Sequence, residues 1–230
     1  MDTQSYDKTI EALTLISRAI TSDQYLEEIL RLIVLVTAEV MNSKVCSLWL
    51  LDEKKQTLAI RATQSINREY LKKRSLKVGE GVVGYVAQHN KPYLCPNVFE
   101  DSRFKEKDLA RKMGLVSLLS VPMSVRDRVI GVINAYTSIT HRFTETEQNL
   151  FTTVANQAAV AIFNTELMVQ SRVIQEELET RKCVERAKDV LIRRRSLSGE
   201  DAFRWIQKRS MDSRKSMREV AEAVLLSEEI

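Results

Sequence analysis

No glycine or proline interrupts residues 144–197, and this feature constrains the fold of the chain more than any other. Thr144 and Glu147 at its start have the spacing of a capping box, which begins a helix. A helix that continues to about Arg195 is roughly 75 Å long at ~1.5 Å per residue. Because such a helix cannot be buried in one small domain, the sequence predicts separate folded units along it.

The apolar pattern of this helix changes along its length. Its first part is apolar on several sides, as expected of a helix that packs on a sheet, with Leu150, Val154, Ala158, Val160 and Ile162 contributing. Farther on, the pattern thins to an irregular seam of about two to three heptads, consisting of Phe163, Leu167, Ile174 and Leu178. We predict a coiled-coil dimer stalk over residues 164–182. A solvated connector helix is the alternative.

Strand-like alternation precedes this helix. It predicts two hairpins, 44–53 with 57–64 and 115–125 with 128–140, separated by short helices and loops over 66–113. Two helices are predicted before the first hairpin: one carries Ile10, Leu13, Ile16 and Ile20, and the other runs from Gln24 to Met41 after a cap at Thr21 or Ser22. The predicted fold class is α+β, with an antiparallel sheet, a long connecting helix and a C-terminal three-helix bundle.

The composition excludes several classes of protein. A chain of 230 residues with 44% hydrophobic and 29% charged residues fits a soluble protein of one large or two ordinary domains. No window approaches about eighteen uninterrupted apolar residues, and the N-terminus lacks the features of a signal peptide, so no membrane partner is predicted. Three widely spaced cysteines (Cys46, Cys95, Cys183) argue against disulfides and a metal site and favour a reducing cytoplasm.

The segment LKVGEGVVGYVAQHNKPYLCPNVFEDSRF at 76–104 resembles the most recognisable part of a GAF domain, and SLLSVPMSVRDRVIGVINAY at 117–136 agrees with it. The resemblance covers about residues 5–165. It implies an antiparallel sheet with flanking helices and a pocket on one face that senses a small molecule. Gly79, Gly81 and Gly84 fall where a loop enters a short helix and needs a permissive backbone.

The sequence does not identify the molecule that this pocket binds. GAF domains that bind cyclic nucleotides carry an Asn-Lys pair after the last strand, where this chain has Thr137-Ser138, so a cyclic nucleotide is not expected. Cys95 is not followed by the histidine common in bilin-binding members. His89 and His141 are predicted to be surface histidines rather than haem ligands. No cofactor is predicted, and the effector stays an unidentified small molecule.

An enzymatic role is not expected. Some proteins of GAF fold reduce free methionine sulfoxide with clustered cysteines, a reaction that needs an attacking and a resolving thiol. Cys46 alternates with apolar residues in a predicted strand and is assigned to the core, which leaves Cys95 as the loop candidate. The sequence shows no Ser/His/Asp set, Gly-rich phosphate loop or HExxH motif.

Most of the excess positive charge lies near the C-terminus. Between Arg186 and Arg218 eleven lysines and arginines face four acidic residues, so this window carries +7, whereas the whole chain carries +4. A compact basic unit on a near-neutral carrier points to a polyanionic partner, above all a nucleic acid.

Three short amphipathic helices are predicted in this basic region. Ser198 and Asp201 form a capping-box arrangement that begins a helix at Gly199, and Asp212 or Ser213 is predicted to begin the next helix. Each helix has one apolar stripe, which predicts a small bundle. The stripe residues are Val184, Ala187, Val190, Leu191, Ala202, Trp205, Ile206, Met217, Val220, Ala221 and Leu225.

The same residues resemble the ANTAR domain, an RNA-binding antiterminator module, over about residues 170–228. The matching signature consists of Arg186-Ala187-Lys188, Ala202-Phe203, Ser210-Met211, Arg214-Lys215 and Glu219-Val220-Ala221. The chain departs from it at Asp189, where the family often has Gly, and at Gln207, where it often has Arg. The resemblance implies a dimer that binds paired RNA stem-loops in a leader transcript and stabilises an antiterminator hairpin at the expense of the terminator.

The spacing of two aromatic residues suggests how RNA is held. Phe203 lies roughly 200° around the helix from Trp205, so we expect Trp205 in the core and Phe203 exposed for stacking on an unpaired base. Lysines and arginines would neutralise phosphate. The predicted RNA-binding residues are Lys188, Arg194, Ala202, Phe203, Arg209, Arg214 and Lys215.

These observations predict a signal-responsive antitermination regulator, a cytoplasmic homodimer whose partners are RNA and a small-molecule effector. The alternative is a GAF sensor whose helical tail binds DNA or a protein partner.

Overall fold

The computed structural model describes Thr14 and residues 26–65 and 75–227. The helix predicted around Ile10–Ile20 and the cap at Thr21 or Ser22 therefore lie outside the described residues. The chain divides into two compact units, Met1–Glu166 and Leu167–Ile230.

The first unit is built around one antiparallel sheet of six strands. The strands are β1 (Val45–Asp52), β2 (Thr57–Thr63), β3 (Ser75–Lys77), β4 (Tyr93–Cys95), β5 (Ser117–Val125) and β6 (Arg128–Thr137), in the order β3-β2-β1-β6-β5-β4. The helices are α1 (Leu26–Val40), α2 (Gly81–His89), α3 (Lys107–Met113) and the first part of α4 (Glu145–Arg195). This arrangement confirms the predicted α+β fold class.

Both predicted hairpins are present. The β5–β6 turn is tight because Arg126 and Asp127 adopt φ values of 49° and 66°, the left-handed pair that matches strand twist. The strands β3 and β4 were not predicted, because runs of three residues are too short to show alternation. These two strands form the two edges of the sheet.

Helices cover both faces of the sheet, which explains why β5 is buried at seven consecutive positions rather than at alternate ones. On one face, α1 and the first turns of α4 pack their apolar residues, centred on Phe151, against β1, β5 and β6. On the other face, α2 and α3 enclose a second core that contains Trp49 and Tyr136. The second face also contains the cavity described below.

Two glycines position α2 on the second face. Gly79 has φ +84°, and a Cβ atom at Gly84 would lie 2.3 Å from the carbonyl oxygen of Lys77. A side chain at Gly84 would therefore push the helix away from the turn that precedes it.

The second unit contains the rest of α4, α5 (Gly199–Ser213) and α6 (Met217–Leu226). The predicted continuous helix is confirmed, since α4 has 51 residues, and the reciprocal bonds of Thr144 with Glu147 cap its start. The bundle core contains the predicted stripe, with Ala187, Ala202, Ile206 and Ala221 fully buried.

One predicted helix start is wrong. Asp212 and Ser213 lie in the last turn of α5, where the Ser213 hydroxyl donates a hydrogen bond to the carbonyl oxygen of Arg209. Helix α6 begins instead after Ser216, because Ser216 and Glu219 form a complete capping box. Between the two helices Arg214 adopts φ 54°, the left-handed conformation that ends α5.

Candidate nucleic-acid interface and effector cavity

A groove of about 400 Å³ on the second unit collects much of the unit's positive charge. We call it the basic groove. Its cationic lining residues are Arg194 and Arg195 from the end of α4, Arg209 from α5, and Lys215 from the turn before α6. The other residues that line it are Val190, Leu191, Trp205, Ser213, Glu219, Val220, Ala223, Val224 and Ser227.

The one acidic residue that lines the basic groove, Glu219, is hydrogen-bonded to Ser216. The Glu219 carboxylate accepts hydrogen bonds from the amide and the hydroxyl of Ser216, each at 2.8 Å. The backbone bond in particular lowers the pKa of Glu219, so the capping box stays intact at neutral pH. The groove therefore presents more positive than negative charge.

Two arginines at the end of α4 have defined positions in the groove. The Arg194 guanidinium donates a 2.7 Å hydrogen bond to the carbonyl oxygen of Ser227, which follows the last turn of α6. The Arg195 Cζ atom lies 4.9 Å from the centroid of the Trp205 ring, a cation–π contact.

Other cations of the basic region are paired with acids. Lys188 lies 2.8 Å from Glu185, with only 19% of its side chain exposed. Arg204 pairs with Glu200, and Arg218 pairs with Glu222. In contrast, no ion pair among residues 26–65 and 75–227 involves Arg195, Arg209, Arg214 or Lys215.

The structure brings part of the predicted RNA-binding set together. Arg194, Arg209 and Lys215 line the basic groove, and Arg214 precedes Lys215 in the turn between α5 and α6. Lys188 lies outside this groove, in its pair with Glu185.

Ala202 requires a correction. Its side chain is fully buried in the bundle core, so it has no surface to offer to RNA. Its place in the sequence signature is explained by packing, because a larger side chain would not fit between the helices.

Phe203 is 40% exposed, as its helical position predicts. It lines a different groove, however, together with Val173 and Met217. The charged residues of this second groove are Glu176, Glu177, Arg181 and Glu185, so acids outnumber bases around the ring.

Sequence reasoning missed the pairing of Trp205 with Arg195. The spacing assigned Trp205 to the core next to Ile206, and the structure does pack it against the core, but only partly buried. No local pattern could have found this pair, because the two residues come from different helices.

The predicted dimer seam lies on α4 with most of its side chains exposed. Leu167, Ile174 and Leu178 are 46%, 65% and 51% exposed, whereas Phe163 is half-buried. Their exposure leaves these apolar groups available to another chain.

The first unit contains an apolar cavity of about 220 Å³ beside the sheet. We call it the effector cavity. Buried apolar side chains form most of its wall: Trp49 and Tyr136 from the sheet, Val82 and Val83 from α2, Ala110 from α3, and Phe104 and Leu115 from the adjoining loops. Leu76, Gly81, Leu109, Glu80, Lys105 and Glu106 complete it.

The polar groups around the effector cavity already have partners. Glu80 and Lys105 form an ion pair at 3.1 Å, and the amide of Lys77 donates a hydrogen bond to Glu80, which lowers the Glu80 pKa. The indole N–H of Trp49 donates to the Ser47 hydroxyl at 3.3 Å. The cavity therefore presents ring faces and aliphatic groups rather than free charge.

The cysteines and histidines of the first unit show little reactive character. Burial raises the pKa of Cys95 to about 12 and that of Cys46 still further, so both thiols stay protonated and are poor nucleophiles at neutral pH. His89 is exposed, and His141 is half-buried with its Nε2 atom 2.9 Å from Glu147.

The part of the chain that the structure describes has neither a cluster of metal-binding side chains nor a membrane-spanning helix. No group of three or more His, Cys, Asp or Glu side chains is arranged to hold a metal ion. No helix there combines the length and the apolar character needed to cross a membrane.

Comparison with known proteins agrees with both units. Residues 25–162 match the GAF domain and residues 172–225 match the ANTAR domain, so this chain belongs to the GAF family and carries a C-terminal ANTAR domain. Both resemblances predicted from sequence are thereby confirmed. GAF domains bind small-molecule effectors, ANTAR domains bind RNA, and both are regulatory domains.

Among individual relatives, the chain is similar to the transcriptional regulatory protein PdtaR of Mycobacterium tuberculosis, with 35% identity over 125 residues. The match covers 53% of this chain and 50% of that protein, so the chain spans about half the length of the curated relative.

Among solved structures, the GAF domain of Acinetobacter phosphoenolpyruvate-protein phosphotransferase matches with a TM-score of 0.61 and 27% identity, over 74% of this chain and 99% of that one. The free methionine-R-sulfoxide reductase of Neisseria meningitidis matches with a TM-score of 0.60 and 17% identity, over 73% and 95%. The second likeness shows a common fold.

Proposed function

We propose that this protein is a signal-responsive transcription antitermination regulator that binds RNA stem-loops in leader transcripts. The observation that carries this proposal is the basic groove, where Arg194, Arg195, Arg209 and Lys215 meet on an ANTAR domain. Cations grouped around one groove neutralise successive phosphates of a nucleic acid. A hairpin loop also exposes unstacked bases that a protein can read.

The contacts divide by chemistry. We assign phosphate contacts to Arg209, Arg214 and Lys215, because none of them is held in an ion pair among the described residues. Arg194 contributes charge while its hydrogen bond to Ser227 links the end of α4 to the end of α6. Lys188 contributes less than the sequence predicts, since Glu185 already neutralises it. Phe203 is the sequence-based candidate for base stacking.

The signal is a small, uncharged, apolar molecule with one or two rings that occupies the effector cavity. A protein cavity of roughly 150 Å³ lined by aliphatic and aromatic groups holds a benzene molecule, and the effector cavity has about 220 Å³. A cyclic nucleotide needs partners for its charged phosphate, whereas Lys105 is already paired with Glu80. The chemistry of the cavity therefore disfavours that ligand.

The RNA-binding form is a homodimer that pairs along α4. Leu167, Ile174 and Leu178 form an apolar stripe at coiled-coil spacing, and a second copy of the same helix would bury it. A dimer offers two bundles, which suits a transcript with two adjacent stem-loops.

A binding comparison tests the function. We would titrate the full chain by fluorescence anisotropy with a two-hairpin leader RNA, a duplex DNA of equal length and an unstructured RNA strand. We expect the two-hairpin RNA to bind most tightly. The double variant Arg209→Gln, Lys215→Gln should lose most of this affinity, whereas the matched variant Lys188→Gln, Arg204→Gln, which removes two ion-paired cations, should lose little. Equal affinity for duplex DNA would refute RNA recognition.

The second groove supports one alternative function, a helical tail that binds a protein partner. Phe203, Val173 and Met217 present apolar surface beside three glutamates, which suits a basic protein segment better than RNA. If this alternative is correct, the chain will not select hairpin RNA, and Phe203→Ala will abolish capture of the protein partner while the groove cations remain dispensable.

A further inference from the structure

We propose that the Arg195 guanidinium, held over the Trp205 ring, is a stacking site for one unpaired base of the RNA hairpin loop. This inference rests on the proposed RNA-binding function and adds a base-reading contact to the basic groove. It involves two residues that the sequence analysis did not assign to base recognition.

The backbone fixes the position of Arg195. Helix α4 ends at this residue, and Ser196 adopts φ 53°, a left-handed conformation uncommon for a residue other than glycine. The chain therefore turns sharply and leads into α5 through the Ser198 cap. The turn leaves the side chain of Arg195 over the face of α5 that carries Trp205.

Trp205 in turn fixes the guanidinium. The ring packs against the bundle core and lines the basic groove, so its own movement is restricted. The cation–π contact at 4.9 Å then restricts an arginine that would otherwise sample many rotamers. A pre-positioned planar group loses less conformational entropy when a base stacks on it.

The charge around this pair suits a nucleotide. Arg195 itself lines the groove, and among the described residues no carboxylate forms an ion pair with it. Arg209 and Lys215 line the same groove and provide cations for the phosphates that flank a stacked base. Guanidinium planes stack on unpaired bases as aromatic rings do.

The site of Phe203 is the natural comparison, because both aromatic residues lie on α5. Around Phe203, the residues Glu176, Glu177 and Glu185 outnumber Arg181, so a phosphate that arrives with each base meets repulsion there. The local charge therefore favours Trp205 with Arg195 over Phe203 as the place where a base stacks.

The experiment uses a hairpin that the full chain selects from an RNA library with randomised loops. Arg195→Lys keeps the charge and removes the planar group, and Trp205→Leu keeps apolar packing and removes the ring. Each should weaken binding of the selected hairpin by about five- to 150-fold, the usual effect of one lost base stack. The matched variant Arg204→Lys, at an arginine on the same helix that is already paired with Glu200, should change the affinity less than twofold. Far-UV circular dichroism verifies that each variant folds.

A double-mutant cycle identifies the contact itself. Replacing one loop nucleotide at a time by an abasic nucleotide should reveal one position whose loss weakens wild-type binding but leaves Arg195→Lys nearly unaffected. Full additivity at every loop position would overturn the inference, and so would wild-type affinity of Arg195→Lys.

Fluorescence provides a readout independent of affinity. The chain has two tryptophans, so in a Trp49→Phe background the emission reports Trp205 alone. The selected hairpin should protect Trp205 from acrylamide quenching, whereas the same hairpin with an abasic loop should not. Binding of the hairpin without this protection would exclude the stacking site while leaving the RNA-binding function intact. Failure of the library to yield any bound hairpin would instead refute the RNA-binding function.

Discussion

At the scale of single residues, the cations of the ANTAR domain differ in what they can give to RNA. Arg209 and Lys215 form no ion pair among the described residues, whereas Lys188 and Arg204 each pair with a glutamate on their own helix. An ion-paired lysine must give up its partner before it neutralises a phosphate, so its net contribution to binding is smaller. In the net charge of the chain, each of these residues counts as one positive charge. Their ion pairing in the structure distinguishes them.

The salt dependence of RNA binding tests this distinction. Each phosphate contact to a single strand contributes about 0.7 to the slope of log K against log salt concentration. Arg209→Ala with Lys215→Ala should therefore reduce the slope by up to about 1.4. Lys188→Ala with Arg204→Ala, the matched control, should leave it nearly unchanged. Equal reductions in the two double variants would mean that the ion pairs open on binding.

Thiol burial gives a second prediction at the same scale. Because burial raises the pKa of Cys95 to about 12, the folded state holds its proton at pH values where the unfolded thiol has lost it. The contribution of Cys95 to stability is complete below the ordinary thiol pKa and is lost as the pH rises toward 12. We expect Cys95→Ala to lessen the fall in the free energy of unfolding above pH ~9, measured by urea denaturation. The partly exposed Cys183→Ala is the control, and an equal effect of both substitutions would contradict the assignment.

At the scale of helices and strands, the predictions that succeeded rest on long or strongly marked patterns. The absence of glycine and proline over residues 144–197 and the box of Thr144 with Glu147 predicted α4 correctly. Strands β3 and β4 were missed because each is held by pairing with a distant strand rather than by its own pattern. The start of α6 was misplaced because Asp212, Ser213 and Ser216 are all suitable caps. Ser216 alone of the three has a glutamate three residues later, a capping-box spacing that the sequence analysis overlooked.

The candidate site shows the same limit. The count of charged residues located the basic unit, and helical spacing correctly predicted that Phe203 is exposed. The grouping of Arg195, Arg209 and Lys215 around Trp205 depends on how three helices pack, which no local spacing reports.

The stripe on α4 leads to a prediction at the scale of the helix. Ile174→Asp with Leu178→Asp places two charges in the predicted coiled-coil seam and should produce monomers in analytical ultracentrifugation. Affinity for a two-hairpin RNA should then fall far more than affinity for a single hairpin, because bivalent binding loses its effective concentration. Met168→Asp with Arg172→Asp, which changes the other side of the same helix, should remain dimeric. A seam variant that stays dimeric would place the interface elsewhere.

At the scale of the whole molecule, one helix contributes to both domains. The first turns of α4 pack on the sheet of the GAF domain, and its last turns belong to the core of the ANTAR domain. The exposed seam lies between these two parts of the helix. In the proposed dimer, a seam of only two to three heptads is weak enough that a few kcal/mol from ligand binding can shift its pairing, as a regulatory switch requires.

We expect occupancy of the effector cavity to be coupled to RNA binding. A ring compound that raises the melting temperature of the full chain should also change its affinity for a two-hairpin RNA, and the RNA should change the affinity for the compound by the same factor, because linkage is reciprocal. Ala110→Leu adds methyl groups to the wall of the effector cavity and should abolish both responses while leaving RNA affinity without compound unchanged. Ala38→Leu, the same enlargement beside the core on the opposite face of the sheet, is the matched control and should keep both responses. Parallel titrations by calorimetry and fluorescence anisotropy measure the two coupling factors. If the compound stabilises the fold but RNA affinity is the same with and without it, the GAF domain does not control the ANTAR domain through this cavity.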